Sequence, residues 1–326
     1  MIIDAHSHMN GPNQLGNFHA GLLADRGAHG RGHINISDEE LDRQMQRGMK
    51  QAVEAQIDFQ LISPRPYTVM QWVQPHKLVR WYIEEVNNII ARQVKLYPEK
   101  LIGVCSLPQG VGTLEGCVEE LERCVKEFGF VGCLINPDPG EKGDDTTPGM
   151  GDEFWYPLYE KMVELDVPAL IHPAACQLMR NPTFHLHFIN EESTAIMSMV
   201  EYGVFETFPD LKIVVSHGGG AIPYQIGRFM SQWHGRDRKF HDAVRKLYYD
   251  TCLYTKNALE LLFETMGTDR CVYGTEVPGA GTHPHPETGV QMDHLVPVIE
   301  SIEFLSAEDK KLIFEVNARR LYRLPV

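Results

Sequence analysis

"MIIDAHSH", residues 1–8, opens the chain with an apolar run that ends on two histidines two residues apart, His6 and His8. The spacing alone carries little. Fifteen histidines among 326 residues give about 0.7 His-x-His pairs by chance. The chain holds three: His6/His8, His185/His187 and His283/His285. Placement decides between them. A short apolar run bounded by polar residues reads as a buried strand, and positions i and i+2 of a strand face the same side. A first strand over Met1–Ala5 therefore delivers two imidazoles together just beyond its C-terminal end.

The same ending recurs along the chain. "VPALIHP" closes on His172, "LKIVVSHGGG" on His217 and "RCVYGTEVPG" on Glu276. Eight strand-like runs are expected: Met1–Ala5, Asp58–Ser63, Leu101–Leu107, Phe130–Asn136, Ala169–His172, Lys212–His217, Leu247–Thr251 and Cys271–Thr275. Helical periods separate them. The first, Ser37–Gln56, opens on Ser37 with Glu40 three residues on, a capping box. Others are expected over His76–Tyr97, Leu114–Phe128, Phe154–Leu165, Glu191–Phe208, Ala221–Trp233 and Asn257–Met266. Gln291–Glu303 and Ala307–Tyr322 finish the chain. Eight strand–helix units predict an α/β chain folded as a (β/α)8 TIM barrel, one domain over residues 1–326 with C-terminal helices. Two long loops, Met9–Ile36 and Asp138–Gly151, belong to its C-terminal face. A doubly wound open sheet is the rival, but no Gly-x-Gly-x-x-Gly follows the first strand.

In a barrel, the C-terminal ends of the strands form the rim on which active sites are built. Imidazoles and a carboxylate at four such ends are ligands for a divalent transition metal, zinc first, with manganese or iron as alternatives. Three or four of them plus water make an open catalytic site, where a zinc-bound water has its pKa lowered to about 7. Other features stay two-sided. Arg65, in "ISPRPY" after the second strand, suits a bidentate carboxylate clamp or a surface ion pair. Arg180 and Arg228 are weaker candidates. His185 and His187 suit substrate contact or plain surface, and His283 and His285 a lid or solvent. The glycines of "SHGGGAIPY" suit a close approach to a ligand at a helix starting near Ala221, or a tight strand-to-helix turn.

Forty-four acidic against thirty basic side chains give a net charge of −14, which argues against a nucleic-acid partner. A small anionic substrate remains compatible, because a few arginines set a local field. Seven scattered cysteines, an odd number with no Cys-x-x-Cys, read as reduced thiols of a cytoplasmic protein. The N-terminus lacks a signal-peptide pattern, and no window approaches a membrane span.

"DAHSH", "IHP", "SHGGG" with a following "PY…GRF", and the carboxylate closing strand eight resemble the amidohydrolase superfamily. The likeness is to its mononuclear branch, which holds aminocarboxymuconate semialdehyde decarboxylase and its relatives. Those decarboxylases usually close strand eight with aspartate, where this chain has Glu276. That difference, with "SPR", "NPDP", "WYPLYEKMVEL" and "HGGGAIPY", is more similar to the 4-oxalomesaconate hydratases. The resemblance implies a metal surrounded by His6, His8, His172 and Glu276, with Glu276 doubling as proton shuttle. It implies that His217 orients or deprotonates a water, that Arg65 clamps a substrate carboxylate, and that Asn190 is a polar substrate-facing position. It also implies a homodimer. One departure is that the hydratases carry an arginine in the loop after strand eight, where this chain has "GAGTHPHPETG". The expected activity is metal-dependent addition of water to an unsaturated keto- or hydroxy-polycarboxylate. Non-oxidative decarboxylation of an aromatic or muconic acid is the alternative.

Overall fold

A computed structural model describes residues 1–143, 145–177, 183–236 and 239–324. Arg180, one of the weaker cation candidates, lies outside the described residues. Eight parallel strands form at the expected places: β1 Ile3–His8, β2 Phe59–Ser63, β3 Leu101–Gly103, β4 Cys133–Ile135, β5 Ala169–Ile171, β6 Ile213–Val215, β7 Tyr248–Asp250 and β8 Cys271–Val272. Regular ladders join β1 to β3 and β4 to β8. Backbone hydrogen bonds also cross the two seams. Leu134 N–H reaches the Cys105 carbonyl at 2.8 Å, and Ala5 N–H the Tyr273 carbonyl at 2.8 Å. Asp4 reinforces the second seam by accepting from the Thr275 hydroxyl at 2.6 Å. Strands and helices alternate around this ring, the (β/α)8 barrel arrangement.

The helices are α1 Asn13–Asp25, α2 Asp38–Glu54, α3 Lys77–Leu96, α4 Cys117–Phe128, α5 Tyr156–Leu165, α6 Phe184–Glu201 and α7 Val204–Thr207. Then follow α8 Ile226–Gln232, α9 Phe240–Val244, α10 Lys256–Met266, α11 Val296–Glu300, α12 Ala307–Lys311 and α13 Asn317–Tyr322. Ser37 caps α2 by accepting from Glu40 N–H at 3.2 Å, and Leu41, Met45, Gly48 and Ala52 form its buried stripe.

Several boundaries differ from the sequence expectation. The loop expected over Met9–Ile36 contains α1. Its glycines and polar residues hide a stripe of Leu15, His19 and Leu22, which is buried at helical spacing with a histidine in an apolar position. The helix expected from Glu191 starts at Phe184, capped by the Thr183 hydroxyl, so His185, His187 and Asn190 are helical. The helix expected near Ala221 starts at Ile226, because Gly218, Gly219 and Gly220 all take positive φ and delay it. The C-terminal helix is one run of turns with a π segment, Leu312–Val316, between α12 and α13.

The barrel interior is layered. Its lower layer is apolar: Ile3, Ala5, Leu61, Val104, Leu134, Leu170, Val214 and Val272 cluster together, closed from below by Ala318, Leu321 and Tyr322 of α13. Two residues further along the strands, the same inward positions carry Ser63, Ser106, Asn136, His172, Ser216, Asp250 and Gly274, all but the glycine polar. The first strand needs an extra device. Its register with β2 runs Ile3↔Phe59 and Asp4↔Gln60, then Ser7↔Ile62 and His8↔Ser63. Ala5 and His6 thus share the place opposite Leu61, a β-bulge. Without the extra residue, the parity that turns Ile3 and Ala5 inward would bring Ser7 to the rim and turn His6 away.

Candidate metal centre and active site

His6, His8 and His172 converge on the rim. One ligand atom from each lies within 4.8 Å of the others, and their ring centroids are 4.9–5.4 Å apart. His172, His217 and Glu276 satisfy the same test. Each imidazole is held by its outer nitrogen. His6 Nδ1 donates to Asp250 Oδ2 at 2.5 Å, His172 Nδ1 to the Pro173 carbonyl at 2.7 Å, and His217 Nδ1 to Glu192 Oε1 at 2.5 Å. Ser63 donates its hydroxyl to the Ser7 carbonyl, so at 3.1 Å it accepts from His8 Nδ1. With Nδ1 protonated in His6, His8 and His172, the Nε2 of each is the free lone pair. In His6 and His172 that atom is buried with no hydrogen-bond partner. Buried polar atoms are almost always paired, so two orphans aimed at one point fit a divalent cation. The residues present suit the group: neutral imidazoles and one carboxylate, each fixed from outside.

The charges follow from burial and neighbours. Burial, opposed by Asp250, lowers the pKa of His6, and burial with the charges of His6 and His172 takes His8 well below its usual value. Glu276 runs the other way. Burial favours its neutral form, but the neighbouring imidazoles of His172 and His217 hold the carboxyl well below the usual range. Its Oε1 sits 3.7 Å from His172 Nε2 and 3.5 Å from His217 Nε2, and Tyr254 donates to Oε2 at 2.8 Å. Burial likewise opposes the charged form of His217, yet Glu192 and Glu276 together hold its pKa well above the ordinary value. His217, Tyr254 and Glu276 all have φ of 49–63°, a left-handed conformation that non-glycine residues seldom adopt and that clusters at functional sites.

Three positioning residues were not among the expected ones. Asp250 ends β7 just as His172 follows β5, so the strand-end rule that found the histidines applies to it equally. Besides His6 it takes the Gly218 and Cys252 N–H groups. Glu192 lies fully buried in α6, where a charged residue carries no local mark of an inward face; it also accepts from the Ser216 hydroxyl at 2.7 Å. Phe188, one turn earlier on α6, packs its ring against His172 and His217.

The glycines serve the turn. A Cβ on Gly219 would meet the Tyr249 ring at 2.5 Å, and one on Gly220 the Ile189 carbonyl at 2.7 Å. They let the chain leave β6 between β7 and α6, and their φ values of 82° and 63° need no side chain to accommodate. Gly274 lets β8 pass the site itself, since its Cβ would lie 2.9 Å from His6 Cβ and 3.2 Å from Asp250 Cβ.

Arg65 lines a cavity of about 680 Å³ with Asn10, His19, Tyr67, Tyr82 and other residues. Met9 and Pro278, also in its wall, follow His8 closely and Glu276 by two residues, so the cavity opens beside the cluster. The guanidinium stands 5.1 Å from the Tyr67 ring centroid, close enough for its charge to act on His8, and pairs with no carboxylate among the described residues. That favours a clamp for an incoming anion over a surface ion pair. Asn190 is not brought to the site. It is exposed on α6 and lies half a turn round from Phe188 and Glu192, which face the cluster. Arg228 sits on α8 outside the cluster, and His283 and His285 lie in an exposed loop. No disulfide joins the seven cysteines, and no described helix is long and apolar enough to cross a membrane.

The profile of a family described as Amidohydrolase matches residues 3–324. The chain belongs to the amidohydrolase family. Among curated relatives of this family member is the 2-keto-4-carboxy-3-hexenedioate hydratase of Sphingobium sp. (strain NBRC 103272 / SYK-6), 34% identical over 99% of this chain and 96% of that protein. The 2-amino-3-carboxymuconate-6-semialdehyde decarboxylase of Dictyostelium discoideum is 28% identical over 80% of this chain and 72% of its own. Among solved structures, the 4-oxalomesaconate hydratase LigJ from Rhodopseudomonas palustris superposes with a TM-score of 0.89 at 34% identity, covering 99% and 96% of the two chains. The chain is an enzyme of this family, and hydration is the best-supported activity.

Proposed function

We propose that this amidohydrolase-family enzyme is a hydro-lyase that adds water across the conjugated alkene of a small keto- or hydroxy-polycarboxylate. A divalent metal, zinc in this reading, would be held by His6, His8, His172 and Glu276. When bound, it supplies a Lewis acid and a water of lowered pKa. The chain's own residues do the rest. Glu276, ionised and fixed through its other oxygen by Tyr254, takes a proton from water at one carboxylate oxygen and returns it to the neighbouring alkene carbon. His217, kept protonated by Glu192, orients the water and balances the negative charge that develops on the substrate. Arg65 clamps a substrate carboxylate in the adjoining cavity, with Met9 and Pro278 linking that cavity to the reacting centre.

The observation that carries this reading is Glu276: a buried carboxylate 3.7 and 3.5 Å from the Nε2 atoms of His172 and His217, two residues before Pro278 in the wall of the Arg65 cavity. The full-length likeness to a hydratase favours water addition over loss of carbon dioxide. The 28% identical decarboxylase keeps carboxy-lyase activity as the second reading. One assay separates them. Protein reconstituted with zinc, manganese or iron(II) is mixed with 2-keto-4-carboxy-3-hexenedioate and related unsaturated acids. Alkene absorbance and released carbon dioxide are followed together. Metal-dependent absorbance loss without carbon dioxide is expected. Carbon dioxide release from these acids would replace hydration by decarboxylation, and no metal-dependent change with any of them would remove the proposal. We further propose a homodimer, which sedimentation would test.

A further inference from the structure

A second group of ligand-type side chains shares no residue with the first. Asp138, in the long loop after β4, His187, in the first turn of α6, and Glu191, one turn further on, bring one ligand atom each within 4.8 Å of one another. His187 Nε2 is 3.4 Å from Asp138 Oδ2, and His187 Nδ1 is 3.9 Å from Glu191 Oε1. Neither contact is a hydrogen bond. His187 is 1% exposed, and its Nε2 is buried without a hydrogen-bond partner. Glu141 stands close enough to feel the charges of both Asp138 and His187, and its Oε1 is also buried and unpartnered.

The charge balance is unusual. Three carboxylates surround one imidazole, and among the described residues no lysine or arginine pairs with any of them. Burial, then the charge of Asp138, raises the pKa of Glu141 and of Glu191. Sequestered carboxylates without a counter-charge are costly, and an orphaned imidazole nitrogen pointed at them adds to that cost. Both are eased by one positive ion that accepts a lone pair each from Asp138, His187 and Glu191. A mixed imidazole–carboxylate donor set suits a divalent first-row cation such as manganese, iron(II) or zinc.

We infer that Asp138, His187 and Glu191 form a second divalent-cation site, separate from the one on the strand ends. The ion ties the loop after β4 to α6. That helix carries Phe188 and Glu192, which hold His172 and His217, so the tie braces the active site from behind. It is a structural site, and Asp138, His187 and Glu191 are positioning residues.

The test counts ions. The full chain is loaded with Mn²⁺, passed through gel filtration to strip weakly held metal, and analysed by mass spectrometry and electron paramagnetic resonance. Wild type is expected to retain two equivalents, Asp138→Asn/Glu191→Gln one, and His172→Ala the other one. Glu191 is partly exposed, so Glu191→Gln alone serves if the double variant does not fold, and should weaken the second equivalent by roughly tenfold or more. One equivalent in wild type, retained in Glu191→Gln and lost in His172→Ala, overturns the second site while leaving the first intact. Two equivalents in wild type that both survive Glu191→Gln at unchanged affinity overturn it as well.

Discussion

Leu170, in β5, and His172, just past its end, sit two residues apart and point into the same barrel, yet they belong to different layers. Leu170 packs in the apolar lower layer with Leu134 and Val214, where α13 seals the floor. His172 stands in the polar upper layer with a buried nitrogen left unpaired. The lower layer is complete on its own: its atoms need only each other. The upper layer is complete only with something added. Cohesion and chemistry are thus separated by a single inward step along the strands, about 6.6–6.8 Å at 3.3–3.4 Å per residue. Stability and function should accordingly respond to different substitutions.

The sharpest way to break this separation is to exchange the losses. His172→Ala should leave the strand-end site without bound metal and reduce turnover to background, while the metal-free fold melts near the wild-type temperature. Metal content and rate both unchanged would end the assignment. Leu170→Ala should do the opposite. Its expected cost is about 2–5 kcal/mol in denaturant unfolding, with metal content unaltered in the folded fraction. Loss of metal without loss of stability would show that the layers are not independent.

Within the upper layer the effects should descend with distance from the reacting atoms. Glu276→Gln should lower kcat by roughly 10²–10⁴-fold with a small change in KM, since a proton carrier is lost. A change confined to KM would make it a binding group. Asp250→Asn keeps the shape but weakens the acceptor of His6 Nδ1, and should weaken metal binding by about 10–100-fold, read by competition with a chelator. Unchanged affinity would reduce Asp250 to a packing residue.

The smallest effect concerns pH. Burial lowers the pKa of His6 and takes His8 well below 6.5, so these two imidazoles stay neutral where a free imidazole takes up a proton. The sign follows: protons compete less with the metal. Metal should be retained by His6 and His8 as pH falls through 6.5 and released only at the lower values where these two protonate. Dialysis over a pH series followed by metal analysis measures this, and release centred at or above 6.5 would contradict it.

Much of the architecture was legible one residue at a time. A strand announces itself by a short apolar run, and its end by the first polar side chain, so all eight strands and His6, His8, His172, His217 and Glu276 could be placed without coordinates. Asp250 obeys the same rule and was there to be read. Other features had no local mark. Burial of Glu192 depends on which face of α6 meets β6, and α1 hides behind a buried histidine stacked on Tyr82. Arg65 could be placed on the rim, but only the structure put it in a cavity wall without an anionic partner.

The order of residues by itself determined the alternation of strands and helices and the kinds of atom offered at the barrel rim, because burial parity and ligand chemistry are properties of single positions. Only the tertiary structure decided that a bulge opposite Leu61 swings His6 inward, that Asp250 and Glu192 hold the imidazoles from behind, and that Asp138 meets His187. Those outcomes come from contacts between segments distant in sequence, and the energy of such a contact belongs to the pair and to neither residue alone.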